Sequence, residues 1–138
     1  MTPYAVKFIP SDDIELFEKI KKAINFLPDL DLGRDVKGLP IILSCHMLAR
    51  AVAEVFSLRC VDGYYYLSYQ HSWVLTQNNK IIDVHPIAIL GGPILVHNAV
   101  FSPHSHIYIE KEIIRISDEF NEPYFKDIVK LIASQLIH

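Results

Sequence analysis

The sequence predicts an α+β fold. Apolar residues recur at helical spacing toward both ends, while a middle block over 59–85 is rich in β-branched and aromatic residues. The chain has 138 residues, 51% of them hydrophobic, which suffices for a core that needs no disulfide or metal staple. No internal repeat, low-complexity tract or Ser/Gly linker divides it, so 1–138 reads as a single domain.

The first helix opens at Asp12, with Glu15 three residues on, and carries Ile14, Phe17, Ile20, Ile24 and Leu27 along one stripe until Pro28 stops it. An Asp- and Gly-rich loop over 29–38 follows. A second helix begins at Ser44 or Cys45 and runs to about Phe56, with Cys45, Leu48, Ala49, Val52 and Phe56 on its apolar stripe. Residues 60–69, 71–76 and 81–85 read as an antiparallel meander. Short strands are expected at 106–110 and 113–116. Asn121 then caps a last helix with Phe125, Ile128, Val129, Ile132 and Leu136 on one face. The picture is a Cys-bearing helix packed on an antiparallel sheet, with packing helices at the N- and C-terminal ends.

Charge and hydropathy exclude several function classes. With 13 Lys and Arg against 16 Asp and Glu, the formal charge is −3, and no concentrated basic face is available for phosphate contacts, so nucleic acid is not an expected partner. The most apolar stretch, 86–101, is broken by Gly91, Gly92, Pro93, His97 and Asn98. It falls short of the roughly 20 clean residues of a bilayer crossing, so no membrane partner is expected. Two cysteines cannot make a disulfide framework, and residues 1–10 lack the pattern of a secretory signal, which together point to a cytoplasmic protein. A mean hydropathy of +0.22 is high for a small monomer, so a second copy in a homo-oligomer, or a substrate, is expected to cover some apolar surface.

Three residues stand out by type and order: Cys45 in the first turn of a helix, His71 at the start of a strand and Asp83 on the strand after it. They supply a nucleophile, a base and an orienter for the base. A helix N-terminus and a nearby imidazolium lower a thiol pKa into a range of roughly 3.5 to 7.5, and the same terminal amides can cradle an oxyanion. Taken singly, each residue has a plainer role. Cys45 suits a buried core position, His71 a half-buried tip beside Trp73, and Asp83 an Asx turn ending its strand.

The segments Leu43-Ser44-Cys45-His46-Met47-Leu48-Ala49-Arg50-Ala51-Val52, His71-Ser72-Trp73-Val74 and Ile81-Ile82-Asp83-Val84-His85-Pro86 resemble the core of the transglutaminase-like branch of the papain-like cysteine enzymes. In that branch a Cys-bearing helix precedes a hairpin that carries H-x-W-V and then an Asp. The resemblance covers residues 43–86. It implies a transglutaminase/papain-like core and a catalytic triad of Cys45, His71 and Asp83. The triad would act on a peptide or protein amide, or on a thioester, through an acyl-enzyme, and no cofactor is implied. Hydrolysis gives a peptidase or amidase, whereas transfer to an amine gives an acyltransferase. Tyr64, Tyr66, Trp73, Gly91 and Gly92 are the expected walls of the cleft. The chain departs from the family in having Leu43 where a Gly stands two residues before the nucleophile, and no Gln, Asn or Trp upstream offers itself as the side-chain oxyanion donor.

The hairpin bears on the triad through parity. For His71 and Asp83 to face each other directly, the turn must centre on Gln77 in a loop of odd length, which would set Trp73 opposite Ile81. A two-residue turn at Asn78-Asn79 would put Asp83 on the opposite face. A longer loop over 76–79, or a bulge, is therefore expected. Cys60 reads as the end of the Cys45 helix, ~22 Å from Cys45 and too far for a disulfide, with a core role.

Two other classes compete. A metal site would draw on His85, His97, His104 and His106, among seven histidines in all, yet no further ligand follows at zinc-like spacing and no metal is expected. A binding or assembly module without catalysis would use Tyr64, Tyr65, Tyr66 and Tyr69 and a mobile apolar loop over 91–95.

Overall fold

The computed structural model describes residues 11–27, 31–65, 69–85, 93–96 and 108–137. Along the chain run helices α1 (Ser11–Asn25) and α2 (Cys45–Phe56), strands β1 (Arg59–Tyr65), β2 (Tyr69–Leu75), β3 (Ile81–Asp83), β4 (Ile94–Val96) and β5 (Tyr108–Glu110), and helices α3 (Ile114–Asn121) and α4 (Pro123–Leu136). The class is α+β, with an antiparallel sheet in the order β4-β3-β2-β1-β5. No helix among the described residues is long and apolar enough to cross a membrane.

The α1 helix follows its pattern. Asp12 and Asp13 in the first turn complement the positive end of the helix dipole, and Phe17 and Ile20 are buried. The Asn78 amide donates to both oxygens of Asp13 at 3.3 Å, which fastens the β2–β3 loop to this helix. The α2 helix starts where the Ser44 hydroxyl accepts the Met47 N–H at 3.3 Å. It ends at Ser57, whose left-handed φ of 55° turns the chain back along the helix into β1.

Alternation divides the sheet into two faces. On one, Val74 and Ile82 join Leu48, Ala51 and Val52 of α2 and Ile128, Val129 and Ile132 of α4 in the main core. Each fully buried Leu, Ile or Val there contributes about 1.5–3 kcal/mol. On the other, Val61, Trp73, Leu75, Ile81 and Tyr108 form a second cluster.

Four local expectations are corrected. Residues 113–116 are not a strand. Ile113, Ile116 and Phe120 are buried at helical spacing while Ile114 is exposed, so a β-branched run serves the apolar face of α3. Asn121 ends α3 instead of capping α4, which begins at Pro123 with Glu122 at its N-cap. Within the apolar stretch over 91–95, Ile94–Val96 is strand β4 and Leu95 is in the core, so that part is not a mobile loop. Cys60 lies in β1, not on the helix. The reversal at Ser57 brings its sulfur within 3.8 Å of Arg50 Nη1, halfway back along α2.

The β2–β3 loop is of odd length but centred one residue later than the direct pairing of His71 and Asp83 requires. Val74 pairs with Ile82 and Leu75 with Ile81, with Gln77, Asn78 and Asn79 spanning the turn. Asn79 takes the left-handed conformation at φ 59° that closes such a three-residue loop, and its N–H bonds the Thr76 carbonyl at 2.9 Å. Continuing the register sets Asp83, not Ile81, opposite Trp73. Asp83 and His71 are diagonal neighbours on one face.

Candidate active site

The ladder between β2 and β3 is recorded only at Val74 and Leu75 of β2, so His71 lies beyond those pairs. Its side chain and that of Asp83 are both 0% exposed. Nε2 of His71 lies 2.9 Å from each oxygen of Asp83, and an Nε2–H donated there fixes the ring and its tautomer. The carboxylate takes two more donors, the Tyr108 hydroxyl at 2.8 Å and the His85 backbone N–H at 3.3 Å. Burial, the neighbouring Asp83 carboxylate and the hydrogen bond between them push the Tyr108 phenol well above its ordinary pKa, so it stays a donor.

Nδ1 of His71 is buried and makes no well-formed hydrogen bond. The thiol of Cys45, in the first turn of α2, is coupled to that ring. Partial burial pushes the thiol pKa up, but hydrogen bonding and charge from His46 and His71 outweigh it and bring it down to about 6. Burial alone would lower the His71 pKa. The hydrogen bond and charge of Asp83, with those of Cys45, raise it to about 9. Between those values the pair stands as thiolate and imidazolium. Cys60 behaves oppositely, since burial pushes its thiol up to about 12. Both thiols are free.

Sequence reasoning missed several polar residues around this pair. Tyr108 carried no signal beyond its strand pattern. On the α2-facing side of the sheet, Arg50 grips Asp62 with two contacts at 3.0 and 2.8 Å, Ser72 donates to Asp62, and His46 Nδ1 lies 2.6 Å from Ser72 Oγ. A signal was present for these. Asp62 and Ser72 occupy core-facing strand positions alongside Cys60 and Val74, and His46 and Arg50 stand four apart on the helix above them.

Of the expected cleft walls, Trp73 is buried in the second cluster, its ring 6.2 Å from His71 and 5.3 Å from Tyr108, and so lies behind the imidazole. Tyr64 is half-buried against the main core. Tyr66, Gly91 and Gly92 lie outside the described residues, as do His97, His104 and His106. Among the described residues, no group of three or more His, Cys, Asp or Glu side chains is arranged to hold a metal ion.

Compared with protein-family models, curated proteins and solved structures, the chain matches none of them.

Proposed function

We propose that the chain is a thiol-dependent acyl-transfer enzyme with a transglutaminase-like core, in which Cys45 is the nucleophile, His71 the general base and acid, and Asp83 the orienter of the imidazole. One observation carries the reading. The two 2.9 Å contacts from Nε2 to Asp83 occupy that nitrogen and leave Nδ1 buried and without a well-formed hydrogen bond, on a ring whose interaction with a thiol at a helix N-terminus lowers the thiol pKa.

In this scheme the thiolate adds to the carbonyl carbon of a peptide or other amide, forming a C–S bond and an oxyanion. Ser44 accepts the Met47 N–H, and the terminal amides of Cys45 and His46 serve as donors to the oxyanion. Collapse of the intermediate breaks the C–N bond, and the proton on Nδ1 goes to the departing amine. Neutral Nδ1 then takes a proton from water as the water oxygen attacks the thioester. Release of the carboxylic acid restores the thiolate–imidazolium pair. An amine in place of water gives an amide product and makes the enzyme an acyltransferase. Hydrolysis is the favoured reaction.

The test is acylation by p-nitrophenyl acetate, followed by intact mass and peptide mapping. One acetyl group on Cys45 and none on Cys60 is the expected result, with no adduct in Cys45→Ala. In His71→Gln, acylation is expected to slow on the order of a hundredfold or more. Equal labelling of both thiols, or none, overturns the reading.

A further inference from the structure

A second polar cluster is built on the side chain of His46, the residue after Cys45, and has no part in the proposed reaction. Ser72 donates its hydroxyl hydrogen to Asp62, so its oxygen is left to accept from His46 Nδ1 at 2.6 Å, which requires that nitrogen to carry the hydrogen. Asp62 is gripped by Arg50 at 3.0 and 2.8 Å. The pair is largely shielded, with side-chain exposures of 19% and 14%. The Asp62 carboxyl feels burial, which raises its pKa, but its bonds to Arg50 and Ser72 hold it below the usual carboxylate range. Arg50 also donates to the His46 carbonyl at 3.3 Å and sits 4.4 Å above the Phe120 ring, itself 6.2 Å from the His46 ring. The orientation and tautomer of His46 are thus fixed from β1, β2 and α3, by residues separate from the Asp83–Tyr108 pair that fixes His71.

With Nδ1–H committed to Ser72, Nε2 is the remaining polar atom of His46, and it can donate to a thiolate only in the imidazolium form, in which both ring nitrogens carry hydrogen. We infer that His46, anchored through Ser72 to the Asp62–Arg50 pair, is a second catalytic imidazole that stabilises negative charge on the Cys45 sulfur, while His71 carries the proton traffic. The inference rests on the thiol reading proposed above. It divides the labour between two rings held by independent networks on opposite faces of the sheet. His46 also follows Cys45 directly in the first turn of α2, and its hydrogen bonding and charge help to lower the Cys45 thiol pKa. The titratable and charged groups that face it are Cys45 and Arg50 on α2 and Asp62 on β1, the last through Ser72 of β2; His71 of β2 acts on the same thiol, and α3 presents the uncharged Phe120 ring.

The experiment is the pH dependence of Cys45 alkylation by iodoacetamide in the wild type, His46→Gln, Ser72→Ala, Ser72→Thr and His71→Gln, with thermal denaturation of each. In His46→Gln the midpoint is expected to rise by about one pH unit, so that the thiolate fraction below the midpoint falls roughly tenfold. Ser72→Ala is expected to shift in the same direction by less. Ser72→Thr, which keeps the hydroxyl, is expected to restore the wild-type profile, a rescue that a packing role alone would not produce. Should His46→Gln fail to fold, the contrast between the two Ser72 variants decides. A wild-type midpoint in His46→Gln, or equal profiles for both Ser72 variants, overturns the inference even where His71→Gln shifts and the triad stands. An ordinary thiol midpoint in the wild type overturns both readings.

Discussion

His71 and Asp83 meet at 2.9 Å although the hairpin that carries them does not set them opposite each other. The three-residue loop over 77–79 puts Asp83 across from Trp73, and the imidazole reaches it along the diagonal of one sheet face. The side of the sheet on which each residue points matters more than direct pairing. One residue more or fewer in the loop would send Asp83 to the α2 side.

Insertion of a single Gly between Gln77 and Asn78 is therefore expected to abolish the rapid alkylation of Cys45 at pH 7. Insertion of two residues that keep the strand phase is expected to recover part of it. Iodoacetamide kinetics with peptide mapping would check both.

Asp83→Ala removes the acceptor for two buried donors, His71 Nε2–H and the Tyr108 hydroxyl. Each unsatisfied group costs about 1–3 kcal/mol, so a clear drop in the urea midpoint is expected, together with slower Cys45 alkylation at pH 7 as the His71 pKa falls. Tyr108→Phe deletes one hydrogen bond and leaves His71 paired. Its expected cost is about 1 kcal/mol, with a nearly unchanged alkylation profile.

Activity and stability are expected to respond differently to pH. Acyl transfer should rise as the Cys45 thiol ionises near about 6 and fall as His71 loses its proton near about 9. His71, its pKa raised from 6.5, stabilises the fold fully below 6.5 and loses that contribution as pH rises through about 9. Cys45, lowered from 9.0, stabilises it above 9.0 and loses that contribution as pH falls through about 6. Between about 6.5 and 9 the two slopes cancel, because folding moves a proton from sulfur to ring without net uptake. Urea midpoints across that window should show no pH slope from the pair, whereas Cys45→Ala, which removes one of the two opposed slopes, should differ from wild type in its pH dependence there.

Gly63→Ala tests how closely the second cluster is built. A Cβ at that position would lie 2.1 Å from the Ile109 carbonyl oxygen and 2.7 Å from Trp73 Cη2. The backbone of β5 would have to move, carrying Tyr108 with it. A loss of about 1–3 kcal/mol in urea denaturation is expected.

The sequence read well where period and caps agreed. Phe17 and Ile20 of α1 and the buried stripe of α4 follow from spacing alone, and the start of α2, expected at Ser44 or Cys45, falls at Cys45 with Ser44 as its cap. It misled where a short run of isoleucines fits either period, as at Ile113, Ile114 and Ile116, and where Asn121 sits between two helices with Pro123 just beyond. Cys45, His71 and Asp83 could be named from local context, because Cys45 begins its helix, Asp83 ends its strand and His71 stands two residues before Trp73, although β2 starts at Tyr69 and not at His71. The His46–Ser72–Asp62–Arg50 cluster depends on the β1–β2 register, in which Asp62 stands opposite Ser72, and on the return of β1 along α2. Neither is written in any one segment.

The complete enclosure of the His71 ring has a practical consequence. Small diffusible bases in the medium have no direct approach to the ring's position, so added imidazole is expected to be a poor substitute for it in a His71→Gly variant. The Asp83 carboxylate is enclosed as completely as the ring, so proton exchange at this pair requires the atoms packed around it to move.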